Sequence, residues 1–567
     1  MKKLLALALV LMMVMALVPA SAAGEKITIS ILTSRHTAGT NDIEEVWFFK
    51  YLEKKMSEMY GYDLHFELEQ TLEPNDYIPR MLNSGDLPDL VWGINLSASN
   101  AVKYGAGEGM LLDWSTLLTP EQMPNAYAKL NGTDALLAST CVDGKVYSLP
   151  TLLDRDYWDY TGGMSESFRL YVRQSWLDAC NLQMPTTLDD FMNMLYAFKD
   201  VKTPTGDPAI PVVENADFFK YFIWAALGFT GNSSCGAYGT TFAIKNGEVV
   251  LPCYTEEYRE FVRLFNQMYN DGLISPDFFT MDGTTAAAKQ EGGECGVMGN
   301  WSLGGMATSF PDWVAVSPII SDWCEKMIWS NHYNYTVGPN WASADCEHPE
   351  VLAQIMDYMY TAEGASLYVY GPMKGEEEEA IGLGMCDGWY IKEDGNITND
   401  TTESGAFTDY QYYTNNYIQT INNPAIDRQF VTKNTWAKAG IELPFTAHEL
   451  TDALTGEKFM SYELKTWTDD TPAGHWRLTS IAAWQNNVTC VMLPALYMSE
   501  DDALRASDLK SAIETYVKGE TAKFIAGERS LDTLDAYFED LKGMNVEEYI
   551  TLYQEGYKPY MESVFGK

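Results

Sequence analysis

The sequence predicts an α/β protein of two lobes, each built on a mainly parallel sheet, and three observations carry that prediction. The chain has 567 residues, more than the roughly 250 to 300 that one hydrophobic core organises, so two lobes are the economical solution. Its 46% hydrophobic and 13% aromatic content excludes disorder for most of its length. Residues 26 to 92 alternate strand, helix, strand, helix and strand patterns, an order that calls for crossover connections and hence a parallel sheet with helices on both faces.

Lys2 and Lys3 precede an apolar run from Leu4 to Val18, closed by Pro19 and the small residues Ala20 to Ala23. This is the pattern of a secretory signal peptide, expected to occupy residues 1–22 with cleavage after Ala22. The run is shorter than the ~20 residues that cross a bilayer comfortably. KITISILTS (26–34) then alternates as a strand, residues 42–60 read as a helix, and DLHFELEQ (63–70) alternates again. In MLNSGDLPDLVW (81–92) a helix opened near Asn75 ends at Ser84-Gly85, where glycine takes the left-handed cap conformation. Asp86 to Pro88 turn the chain and Leu90-Val91 enter a buried strand. Ligands of such sheets bind beyond the carboxyl ends of the strands. Arg35-His36 and Trp92-Gly93 fall there.

DGKVYSLP (143–150) reads as a turn and a short strand, and TLLDRDYWDYTGG (151–163) suits a crossing between lobes. In the stretch that follows, Thr186 or Thr187 with Asp189 and Asp190 caps a helix. TEEYREFVRLFNQMYNDG reads as a helix and GECGVMGNW as a glycine-rich strand. HPEVLAQIMDYMYTAEG (348–364) has proline in its first turn, apolar residues at helical spacing and a stopping glycine. Residues 499–560 contain about three helices, the first with Ser499 and Asp502 as a capping box.

The formal charge of −41 repels phosphate backbones, which argues against nucleic acid as a partner. The nine cysteines stand singly and read as small buried hydrophobes, not as a zinc site or a disulfide framework. His448-Glu449 lacks the second histidine of a zinc helix. No GxSxG elbow is present. Gly382-Leu383-Gly384 and Gly105-Ala106-Gly107-Glu108-Gly109 lack the rest of a nucleotide loop and read as turns. We therefore expect no catalytic residue, no metal and no cofactor.

What remains is aromatic: 16 Trp and 35 Tyr, many beside glycine, asparagine or aspartate. Sugar rings stack on aromatic planes while their hydroxyls bond to polar side chains. A tryptophan taken alone is well buried on average, so only position beyond a strand end distinguishes Trp92, Trp158 and Trp301 as candidate stacking platforms. Arg35, His36 and Asn300 are the candidate hydroxyl partners, with Trp436 and Trp484 as outlying possibilities.

Together these residues resemble the extracellular solute-binding proteins of carbohydrate ABC transporters, in particular the oligosaccharide-binding lipoprotein subgroup, with distant similarity to maltose-binding protein. The resemblance rests on SGDLPDLVW, DGKVYSLP, LYVRQSWLDACNLQMPTTLDDFMNMLYAFKD, GVMGNW, YTVGPNWASADCEHPEVLAQIMDYMYTAEGASLYVYG and the tail from YVKGETAKFIAGERS onward, in family order along nearly the whole chain. It implies a periplasmic-binding-protein-like fold whose hinged lobes close on a sugar without covalent chemistry. It assigns 27–152 to the first lobe, 153–336 to the second, 337–380 to a return into the first, and 381–567 to the second lobe and C-terminal helices.

The implied partners are an oligosaccharide and the permease subunits of an importer, with the membrane reached only through the permease or an uncleaved signal. The implied state is a secreted or cell-surface monomer. The chain departs from the subgroup twice. It has no lipobox cysteine, and VKTPTGDPAIP (201–211), where many members carry a calcium loop, keeps only Asp207 as an acid. A binder of peptide or another small solute, and a secreted glycan-active enzyme, are the alternatives.

Overall fold

The computed structural model describes residues 26–34, 42–152, 170–214, 217–231, 235–300, 303, 306, 308–330, 335–376, 383, 388–392, 397–403, 445–464 and 468–566. Nine strands form the two main sheets: β1 (Lys26–Ser34), β2 (Asp63–Thr71), β3 (Leu90–Trp92), β4 (Ser148–Leu152), β5 (Leu170–Arg173), β6 (Ile210–Glu214), β7 (Cys295–Gly299), β8 (Trp313–Ala315) and β9 (Tyr335–Ala342). The helices that matter below are α1 (Trp47–Tyr60), α2 (Pro74–Ser84), α3 (Leu188–Phe198), α4 (Phe218–Ala226), α5 (Pro349–Met359), α6 (Pro472–Trp484), α7 (Glu500–Ala526), α8 (Leu534–Gly543) and α9 (Val546–Phe565).

The first sheet has the order β2-β1-β3-β9-β4. Its strands β1, β2 and β3 pair in parallel, while β9 runs antiparallel to both β3 and β4. The chain therefore leaves this lobe after β4 and returns with β9, which inserts between β3 and β4. The second sheet has the order β8-β5-β7-β6, with β6 parallel and β5 antiparallel to β7. Each sheet has its own core. One packs Trp47, Phe48, Phe49, Leu90, Trp92 and the inner face of α5, and the other packs Leu170, Phe191, Phe219, Trp224, Phe261 and Val297. The α/β class follows from this pairing, with four of the five strands of the first sheet and three of the four of the second running in one direction.

Local signals placed several elements closely. Pro74 begins α2, and Gly85 caps it at φ 77° with its N–H on Met81 O. Thr187 caps α3 in a full capping box with Asp190. Ser499 caps α7 by accepting from the Asp502 N–H, and α7, α8 and α9 are the three C-terminal helices. Asp89, just before β3, is a structural tie: its carboxylate accepts from Ser30 N at 2.8 Å and Ser30 Oγ at 2.7 Å, fixing β3 beside β1.

Two expectations are corrected. Gly105 to Gly107, the first part of the run Gly105–Gly109 read as a turn, belong to a helical segment of π type, Ala101–Gly107. The return into the first lobe runs past 380: Trp389 is buried in that lobe's core and donates from its indole to Gly371 O at 3.1 Å. A large aromatic buried there carries the chain back to the first sheet's core. Of the cysteines, six of the eight described are buried, Cys180 is half-buried, Cys490 is exposed, and all eight are free; Cys386 lies outside the described residues. Among the described residues no helix is long and apolar enough to cross a membrane.

Candidate functional site

The parallel pairing fixes where a ligand site can form. In the first sheet β1, β3 and β4 end together at Ser34, Trp92 and Leu152, and β9 begins at the same edge, with Tyr335 opposite Leu152. The edge is shaped by a bulge in β9 between Thr336 and Asn340. There Gly338 has φ +95° and its α-carbon approaches Leu96 so closely that a Cβ would lie 2.5 Å from Leu96 O. The loop after β3 is clipped to the bulge by Gly93 N to Pro339 O, 2.7 Å, and Leu96 N to Gly338 O, 2.8 Å. Only glycine fits such a backbone.

In the second sheet β6 and β7 end at Glu214 and Gly299, which pair in register, and Leu170 at the start of β5 lies opposite Gly299. Glu214 is buried, and its Oε2 accepts from Phe219 N in the first turn of α4 at 2.6 Å. A Cβ on Gly299 would stand 2.3 Å from that oxygen, so glycine at 299 makes room for the carboxylate. The other oxygen, Oε1, is buried without a hydrogen-bond donor. Lys220 Nζ lies 3.9 Å from it, pairs with Asp217 and sits 4.2 Å from the centre of the Phe278 ring.

Burial pushes the Glu214 carboxyl up to about 7, with Lys220 and the Phe219 amide pulling the other way. Burial opposes the charge on Lys220, but Glu214 and Asp217 outweigh it and raise its pKa.

Of the candidate residues, Asn300 and Trp92 are described. Asn300 follows β7, half-buried, and donates from Nδ2 to Gln290 Oε1 at 3.0 Å, while Gln290 donates to Val213 O at 3.1 Å. It thus stands at the second edge, braced against β6. Trp92 is corrected: it is the last residue of β3, wholly buried, with Phe48 and Phe49 edge-on and Tyr368 stacked against it. The alternation of a strand with both faces covered turned its indole into the core. Trp484 is likewise buried, donating to Val316 O at 2.7 Å. Arg35, His36, Trp158, Trp301 and Trp436 lie outside the described residues.

The sequence reading missed Glu214, Asp217 and Lys220. Their signal was the short run ENADFFK after a β-branched strand, with an acid and a base three apart.

A cavity of about 760 Å³ also opens where Asp134, Thr140 and Tyr335 meet Lys458, Tyr497 and Tyr560. It is of ligand size but its lining holds no residue of the second sheet. Among the described residues no cluster of three His, Cys, Asp or Glu is placed to hold a metal.

Two lobes with these strand orders, and the first lobe completed by a returning strand, have the fold of the periplasmic-binding-protein-like solute-binding proteins. The chain is homologous to one of them, the fructooligosaccharide ABC transporter substrate-binding protein FusA of Streptococcus pneumoniae, at 26% identity over 294 residues, which cover 49% of this chain and 50% of FusA. It is 28% identical over 219 residues to lipoprotein LipO of Bacillus subtilis, covering 37% and 38% of the two chains. The sequence match thus spans about half the length of FusA and less of LipO. By name FusA is the substrate-binding protein of an ABC transporter and LipO is a lipoprotein.

In three dimensions, FusA carrying an EF-hand mutation and bound to fructo-nystose superposes at a TM-score of 0.70 and 17% identity, over 95% of this chain and 100% of that one. A human-milk-oligosaccharide-binding solute-binding protein of Bifidobacterium longum infantis gives 0.70 at 16% identity, over 94% and 99%. Alginate-binding protein AlgQ2 without calcium gives 0.65 at 17%, over 95% and 100%. No family model matches the chain.

Proposed function

We propose that this protein is an exported binding component of a carbohydrate ABC importer, which captures an oligosaccharide between its two lobes and delivers it to the permease subunits as a monomer. The sequence relation to FusA carries this reading. The geometry supports it: the two sheets offer carboxyl edges followed in sequence by Arg35 and His36, by Trp158 within the first crossing, and by Asn300 and Trp301. In this reading Trp158 and Trp301 stack on sugar faces, and Arg35, His36 and Asn300 bond to hydroxyls. Trp92 supports the edge from beneath. Closure on the sugar gives the permease a distinct shape to recognise.

The test is a titration of the mature protein with a panel of neutral and acidic oligosaccharides, fructooligosaccharides among them, followed by tryptophan fluorescence and melting temperature. Saturable shifts with one glycan class support the proposal. A flat response to every glycan with a shift on adding peptides identifies a peptide binder, and reducing ends released over time identify an enzyme.

A further inference from the structure

We infer that Asp217 is a ligand-contacting residue of the second lobe, a carboxylate that accepts hydroxyls of a neutral sugar and turns away uronates. The inference rests on the oligosaccharide-binding reading above and deepens it by naming the ligand's charge class.

Asp217 stands at the N-cap of α4, three residues after the carboxyl end of β6. An aspartate there ordinarily takes extended backbone angles and accepts from the helix's first N–H groups. Asp217 does neither: its φ is 61° and ψ 4°, and its side chain makes no capping bond. The capping role has passed to Glu214, whose Oε2 holds the Phe219 N–H. Asp217 is therefore left without a capping bond, and its half-exposed carboxylate turns to Lys220 of the same helix.

Its carboxylate pairs with Lys220, whose side chain is only 6% exposed against 40% for Asp217. The pair thus presents an acceptor toward solvent and keeps its cation behind. The ammonium is drawn toward Asp217, leaving Glu214 Oε1 3.9 Å away and without a donor, though buried. A purely structural trio would have used Lys220 to satisfy that oxygen, because a buried acceptor left unpaired is costly. A carboxylate in this position can take two hydroxyls in strong charge-assisted bonds. The cluster's one base, Lys220, is buried behind Asp217, so it offers an anionic sugar no exposed positive charge. Asn300, at the end of the neighbouring strand β7, supplies a polar neighbour on the same edge.

Asp217→Asn keeps size and the capacity for the left-handed conformation, and Asp217→Gly suits φ 61° better than any other residue. Calorimetric titration with kestose, maltotriose and cellotriose, and with a trimer of galacturonate, reads the effect. For the neutral glycan that the wild type binds, both variants are expected to lose at least tenfold in affinity, with the melting temperature of Asp217→Gly equal to or above the wild type. The galacturonate trimer is expected to be bound less tightly than that glycan by the wild type. Unchanged affinity in both variants, or a wild-type preference for the galacturonate trimer, overturns the inference and leaves the proposed function standing. A wild type that binds no glycan of the panel overturns both. Loss of affinity accompanied by a large fall in melting temperature in both variants assigns Asp217 to the fold and also overturns it.

Discussion

The indole of Trp92 lies parallel to the ring of Tyr368, centroids 5.9 Å apart and planes within 9°. Phe48 and Phe49 meet it edge-on at 6.4 and 5.8 Å. An aromatic cluster of this kind contributes beyond its buried area. Removing a fully buried tryptophan leaves a cavity and costs about 3 to 5 kcal/mol. Trp92→Ala is therefore expected to lower the urea midpoint markedly while the folded fraction keeps its ligand affinity within about threefold. Loss of affinity at unchanged stability would place the indole against the ligand.

Trp158 and Trp301 have the opposite expectation. If they stack on a sugar, replacement of either by alanine is expected to weaken binding about 10- to 100-fold, roughly 1.4 to 2.8 kcal/mol, with no change in melting temperature. Isothermal titration of the two variants reads this. Affinity equal to the wild type in both would remove them from the site.

Glu214 gives a pH dependence whose sign is fixed. Its carboxyl is raised from 4.5 to about 7, by burial first and against the pull of Lys220. An acid with a raised folded pKa adds stability that is full below its unfolded value and disappears as pH rises through the folded one. Between about pH 5 and pH 8 the wild type should thus lose melting temperature relative to Glu214→Gln, which cannot ionise. Parallel melting curves across that range would show that Glu214 does not titrate there.

Residues 201–208 bear on calcium. Thr203, buried, donates to Asp207 O at 2.6 Å, and Lys202 bridges to Pro208, so the turn closes on a hydroxyl and backbone. Calcium in excess, or a chelator, is expected to move the melting temperature by less than about 1 °C, since a ligand stabilises only what it binds. A clear upward shift with calcium would reveal a site.

Much of the scaffold was legible because its signals are local. Pro74 and Gly85 bounded a helix, Thr187 and Asp190 made a capping box, and the alternation of KITISILTS marked the first parallel strand. Trp92 shows the limit of such reasoning. Sequence places a residue at a strand end, but which way its side chain faces depends on the layers packed on the sheet. The same limit hid Glu214, Asp217 and Lys220: an acid and a base three apart suggest a surface pair, and only the packing of Phe278 and Gly299 made Glu214 and Lys220 buried while Asp217 stays half-exposed.

The sequence by itself determined the α/β class, the two-lobe organisation implied by length, the punctuation of helices and the absence of a recognisable catalytic motif, since each rests on composition or on contacts within a few residues. Only the tertiary structure decided that β9 returns between β3 and β4 of the first sheet, that Trp389 belongs to the first lobe's core and that Trp92 is core. These depend on partners tens to hundreds of residues away, and no local pattern encodes which of them a side chain will meet.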